Sequence, residues 1–268
     1  MSPPQFAPFD APKLKVEWGR RRIKDLETLL TAYAQRVSFT IGPDPYSVPC
    51  DEFDFYRMLP SEQLPNNVSL LIGEIVHPLR SALDVMVCDI ARTQGKEGQF
   101  NFPFAKDEES FDKVMLKHPV RKLGPLAVHL IKECRPYKVG GNQFLRGLHD
   151  LDVVDKHRLI IPMIGAACFQ SPIISDGDFR IEFNMRVIFY EGQSWQVRKG
   201  LPFEVRFEEA QLAEPVFANP LPFGGEPVVK TVYELADQVE EIINQFEPHF
   251  WDRERRRALT PSDQGYDM

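Results

Sequence analysis

From Lys13 to about Arg36 the apolar residues return every three or four positions. Leu14, Trp18, Ile23, Leu26, Leu30, Tyr33 and Val37 fall near one side and Arg20, Arg21, Arg22, Lys24 and Glu27 around the rest, which predicts a long first helix. Gly42-Pro43-Asp44-Pro45 then interrupts, a run that no helix or central strand tolerates, and Tyr46 to Leu59 has room for a short strand. A second long helix is predicted over Val68 to Ala91, with Asn66 or Asn67 in reach of its first free amides. Its apolar positions Leu71, Ile75, Leu79, Ala82, Leu83, Met86 and Ile90 share an arc about 120° wide, while His77, Arg80 and Asp84 gather within about 60° on the other side. Pro78 removes one backbone donor, so this helix either kinks there or restarts with Pro78 in its first turn.

Phe100-Asn101-Phe102-Pro103-Phe104 alternates aromatic and other residues, as an extended segment plugged into a core would. Shorter helices are expected over Asp107 to Lys117, whose acidic start suits a helix N-terminus, and over Leu123 to Cys134, ahead of Pro136. Gly140-Gly141-Asn142 is a break, and Gln143 to about Leu159 is helical again through Phe144, Leu145, Leu148, Leu151 and Val154. The period then changes from about 3.6 to 2. Phe179 to Phe189 reads as a strand with one buried face. Glu191 to Ser194 then predicts a hairpin, with Trp195 to Arg198 as return strand, and Phe203, Val205 and Phe207 add another alternating run. Residues 214–226 are rich in proline and form a loop, and Val228 to about Phe246 returns to helix.

These elements predict an α+β protein: a mainly helical N-terminal bundle over residues 13–160, then an antiparallel sheet and a C-terminal helix over 161–250, packed on the bundle as one unit. At 268 residues the chain is long enough to bury a full core without a metal or disulfide staple. A net charge of −7 argues against a protein built for bulk nucleic-acid binding, where a basic domain is expected. Cys50, Cys88, Cys134 and Cys168 are too widely spaced for a zinc knuckle and read as free thiols of a reducing compartment. The N-terminal residues lack an apolar signal-peptide core, and no stretch is long and apolar enough to span a membrane, so a cytoplasmic location is the expectation. No cofactor is expected, and a homodimer is open to the chain.

Charge is concentrated in His149-Asp150-Leu151-Asp152-Val153-Val154-Asp155-Lys156-His157-Arg158. On a helical wheel Asp155 lies within about 20° of Phe144, and Arg158 about 40° to its other side, so both fall on the stripe that faces inward. A buried carboxylate needs a partner, and Arg158 or Arg80 is the expected one for Asp155. Two readings follow. His77, Arg80, Asp84, His149, Asp152, Asp155, His157 and Arg158 form a polar pocket that binds a phosphate or moves a proton, with His77, Arg80, Asp155 and His157 as catalytic candidates and Arg80, Asp84, His149, Asp152 and Arg158 as ligand-binding ones. Alternatively they form an inter-helix salt-bridge network that sets register, which is the commoner meaning of such a cluster. His149 and Asp152 have the spacing of metal ligands, but no HExxH, repeated ExxH or cysteine set accompanies them, and no metal site is expected.

At His77-Pro78-Leu79-Arg80-Ser81-Ala82-Leu83-Asp84, Phe102-Pro103-Phe104 and Leu148-His149-Asp150-Leu151-Asp152-Val153-Val154-Asp155-Lys156-His157-Arg158 the chain resembles a family of uncharacterised bacterial proteins, over roughly residues 13–162. The family is distantly similar to the HEPN superfamily, and that resemblance implies a helical fold. Family members read His-Asn-Leu-Arg-Ser-Ala-Leu-Asp-His in the first block, so this chain departs at Pro78 and Val85. The superfamily's nuclease signature places a histidine four to six residues after an arginine. Neither Arg80 nor Arg146 has one there, so the resemblance carries no nuclease activity over. The expected function is a non-catalytic binding or scaffold protein; the alternative is a helical-bundle hydrolase acting on RNA or a nucleotide phosphate.

Overall fold

The computed structural model describes residues 6–158, 160, 162–163, 167–170, 173–175, 180–182, 186–189, 194–206, 209–212 and 215–251. The fold is α+β. Among the described residues there are six helices: α1 (Asp10–Ala34), α2 (Asn67–Thr93), α3 (Glu108–Lys117), α4 (Pro125–Glu133), α5 (Gln143–His157) and α6 (Val228–Phe250). None is long and apolar enough to cross a membrane. The strands are β1 (Phe39–Pro43), β2 (Phe53–Pro60), β3 (Ala105–Asp107), β4 (Tyr137–Val139), β5 (Pro162–Met163), β6 (Ala167–Gln170), β7 (Ile173–Ser175), β8 (Arg180–Glu182), β9 (Arg186–Phe189), β10 (Ser194–Arg198), β11 (Glu204–Arg206), β12 (Glu209–Leu212) and β13 (Val216–Phe217).

The chain divides into two units that interleave in sequence: Met1–Arg22, Glu74–Lys156 and Tyr233–Met268 form one, Ile23–Gly73 and His157–Val232 the other. Residues 23–73, which lie within the expected N-terminal bundle, belong to the second unit.

The first unit is built on helices. Ile75, Leu79, Leu83, Met86 and Ile90 of α2, Leu145, Leu148 and Leu151 of α5, and Leu235, Val239, Ile243 and Phe246 of α6 are all buried, the 3.6-residue stripes that the spacing predicted. Gly19 lets α1 approach α2 closely, because a Cβ there would sit 3.2 Å from the Leu79 side chain. Lys13 pairs with Glu247, and Arg20 pairs with both Asp237 and Glu240 at 2.6 Å. Leu14 and Trp18, expected inside, are 45% and 48% exposed. The buried face of α1 in this unit is instead Val16 and Gly19, and the Arg22 guanidinium lies over the Trp18 ring at 4.6 Å. Phe102 is buried as the aromatic pattern required, and β3 pairs with β4 in parallel. Asp107 caps α3 by accepting from the Ser110 amide at 2.8 Å. Asn142 does the same for α5 through the Leu145 amide at 3.1 Å, so the predicted break is also the cap.

The second unit holds most of the sheet. β1, β2 and β10 form an antiparallel ladder in that order, with Trp195 opposite Tyr56. β10 therefore joins β2 and is not the return strand of a hairpin with β9, as the sequence suggested; β9 pairs with β6 instead. Residues 191–193, where that hairpin was placed, lie outside the described residues, as do 183–185 within the predicted long strand. Pro43 ends β1 on the edge of its sheet, where the missing N–H removes no ladder bond from a central strand. β7 pairs with β11 and β8, β6 with β12 and β9, and β5 with β13, all antiparallel.

Candidate functional site

α2 continues as helix through Pro78 and carries Arg80 and Asp84 one turn apart. The Arg80 side chain is 9% exposed, and its Nη1 lies 2.7 Å from Asp84 Oδ1. That nitrogen makes no well-aligned hydrogen bond, so the contact is an ion pair more than a fork. Nε donates to His149 Nδ1 at 3.4 Å, and Nη2 to the Phe102 carbonyl at 3.5 Å. The guanidinium lies over the Phe104 ring, 4.5 Å from its centre, and the His149 ring stacks on Phe104 at 4.6 Å and 9°. Asp84 Oδ1 also accepts from the Phe102 amide at 2.8 Å. Two helices and the Phe102 to Phe104 segment thus meet on one arginine.

A buried imidazole beside a cation favours its neutral form. Burial lowers the His149 pKa below the ordinary histidine value, and the charges of Arg80 and Arg146 act the same way, opposed by Asp150 and Asp152. Accepting from Arg80 requires an unprotonated Nδ1, which agrees with a neutral ring. Arg146 donates to the Ala105 carbonyl at 2.9 Å and pairs with Asp150 at 2.7 Å, fixing the far end of the same extended segment. His118 is also held down by burial, with the charge of Asp84 opposing.

The carboxylate that α5 buries is Asp152, whose side chain is 3% exposed. Its Oδ1 accepts from His77 Nδ1 at 2.9 Å and its Oδ2 from Lys156 Nζ at 2.6 Å. The His77 ring is 59% exposed. Asp155 does not pair with Arg80, and its placement on the inward stripe is corrected: it is half-buried, and among the described residues it has no hydrogen bond or ion pair. Burial raises the Asp155 pKa, and the charge of Asp152 raises it further, against His77 and Lys156. Leu148 and Leu151, which mark the inward stripe, are buried, and Leu145 and Asp152 lie beside them on the buried arc, while Phe144 is half-buried. His157 ends α5 and Arg158 follows it, both exposed and both in the second unit.

Of the sequence candidates, Arg80, Asp84 and His149 form one cluster, and His77 and Asp152 form a pair beside it. The sequence reading missed Phe104 as the surface under the guanidinium and Lys156 as the second partner of Asp152. Opposite charges at Arg80 and Asp84, four apart on a helix, were the available signal for the intrahelical pair. Among the described residues, no group of three or more His, Cys, Asp or Glu is placed to hold a metal ion.

Fold and site together define an α+β protein whose helical unit is joined by an arginine-centred polar and aromatic cluster. No family model, curated protein or solved structure matches the chain.

Proposed function

We propose that the protein is a binding or scaffold protein in which the polar cluster between α2 and α5 is structural. The observation that carries this is the state of Arg80: buried, paired with Asp84, laid on Phe104 and bonded to His149. A phosphate-binding arginine presents its donors to a ligand, whereas these donors are directed at the protein. The kinship with the uncharacterised bacterial family and the distant HEPN likeness belong to this proposal as its helical framework. The test is unfolding: Arg80→Met lowers the stability of the purified chain, and incubation with RNA or a nucleoside triphosphate yields no turnover that depends on Arg80.

The second reading is a hydrolase, and one observation favours it. His77 is an exposed imidazole held by a buried carboxylate, the arrangement that orients a general base. Arg80 and Asp155 do not join it in the way a phosphate-cleaving set would need. Turnover of RNA or a nucleotide that is lost in His77→Ala, while that variant unfolds like the wild type, would favour a phosphate hydrolase over the scaffold.

A further inference from the structure

We propose that the outward face of α1 is the contact surface for a second copy of this chain, the two helices lying parallel and meeting through Leu14 and Trp18. α1 turns Val16, Gly19, Ile23 and Leu26 to the interior. On roughly the opposite side Leu14 and Trp18 stand at the surface, one turn apart. A leucine and an indole adjacent on one helix make an apolar patch, and covering it removes that surface from water. Counted in heptads, Ala11, Leu14, Trp18 and Arg21 take successive a and d positions, the spacing of a coiled-coil seam. This association is independent of the Arg80 cluster.

The flanking charges point to a second copy as the partner. Asp10 and Glu17 occupy the g positions on one side of the seam, Lys15 and Arg22 the e positions on the other. In a parallel pair each g residue meets the following e residue of the other helix. Asp10 therefore faces Lys15 of the second copy and Glu17 faces its Arg22, and symmetry makes each contact twice. Antiparallel helices would instead set acid against acid on one flank and cation against cation on the other. Contacts already made within the chain leave these groups able to pair. Lys15 has no hydrogen bond or ion pair among the described residues. Glu17 gives Oε1 to Arg21, one turn along α1, and its other oxygen has no partner among the described residues. Arg22 lies 3.8 Å from Glu74 and covers one face of the Trp18 ring. α6 adds Asp237 and Glu240 beside the acidic flank, both on Arg20, so that flank stays acidic. Arg21, at the next d position, ends the apolar seam after two turns, so the seam supplies a modest affinity and the flanks set the orientation.

Sedimentation equilibrium of the full chain, at concentrations up to about 100 µM, tests this. A dimer is expected. Trp18→Ala raises its Kd at least about tenfold, with the melting temperature of the dilute chain unchanged because the residue lies at the surface. Lys15→Glu, which alters an exposed charge and no apolar contact, also raises Kd about tenfold, and adding Asp10→Lys restores it, a rescue that a loss of folding would not show. Leu14→Cys places the same thiol on both helices at one level of the seam, so mild oxidation yields more disulfide-linked dimer than the wild type with its own free cysteines. A chain that stays monomeric at every concentration overturns the proposal, and so does a dimer that Trp18→Ala and Lys15→Glu leave intact. A dimer weakened by Trp18→Ala whose Leu14→Cys form does not cross-link overturns the parallel arrangement.

Discussion

Arg80 Nη1 lies 2.7 Å from Asp84 Oδ1, one turn along the same helix, and the same carboxylate oxygen accepts the Phe102 amide at 2.8 Å. One acid therefore neutralises a buried cation and anchors the segment whose next aromatic, Phe104, lies under that cation. The arrangement ties charge, ring and backbone together, so removing any one of them leaves another polar group buried without its partner.

Phe104 gives the first prediction. Phe104→Leu keeps an apolar side chain but removes the surface under the guanidinium and the stack with His149, and it is expected to cost about 1–2 kcal/mol of unfolding free energy. Urea denaturation of the two proteins measures it. A change within about 0.3 kcal/mol would mean that the ring contacts contribute nothing beyond packing.

His149 gives a pH dependence. Its folded pKa lies below its unfolded value of about 6.5, so its contribution to stability is present above that value and is lost as pH falls toward the folded one. His149→Phe cannot titrate. The stability of the wild type relative to this variant is therefore expected to shrink between pH 7.5 and pH 5.5, and a difference that stays constant or grows contradicts a buried neutral imidazole.

Of the three acids of α5, Asp152 and Asp155 are expected to respond oppositely. Asp152 is buried and doubly bonded, so Asp152→Ala removes both bonds and leaves a gap on the buried face of α5, which lowers the melting temperature. Asp155 has its folded pKa raised, chiefly by burial, so ionisation costs stability: its contribution is present below the unfolded value and lost as pH rises through the folded one. Asp155→Asn is accordingly at least as stable as the wild type at pH 7, and that advantage narrows as pH falls toward about 4. Thermal melts at the two pH values decide the matter, and a destabilised Asp155→Asn at pH 7 would restore the expected buried pairing.

At the approach of α1 to α2, a side chain at Gly19 must displace Leu79, whose nearest atom would stand 3.2 Å from a new Cβ. Gly19→Val is expected to destabilise by about 1–3 kcal/mol through overpacking, despite the better helix propensity of valine. Chemical denaturation that shows no loss would mean the helices part there at little cost.

Much of this framework is legible in the sequence because α2 and α6 bury long stripes whose period is unmistakable. α1 is less so: periodicity treats Leu14 and Trp18 as core, whereas both stand at the surface, the indole under the Arg22 guanidinium. In α5 the wheel sets Asp155 between Leu148 and Leu151, which are both buried, but Asp155 stands in the last turn and is only half-buried, so periodicity alone marks Asp155 where the fold buries Asp152. Alternation marks β10 as a strand and says nothing of its partner, so pairing with β2, far earlier in the chain, was invisible. The Arg80 cluster divides the same way. The i, i+4 pair with Asp84 is a local feature, while Phe104 and His149 reach Arg80 only through tertiary packing.

The structural role of Arg80 is tested most directly by a double-mutant cycle with Asp84, using Arg80→Met, Asp84→Leu and the combined variant, read by urea unfolding at pH 7. Arg80→Met alone is expected to cost about 3 kcal/mol, because it leaves Asp84 beside an apolar side chain, with a coupling of at least about 1 kcal/mol between the two sites. A wild-type unfolding curve for Arg80→Met would contradict the account, showing that the arginine is held for something other than the fold.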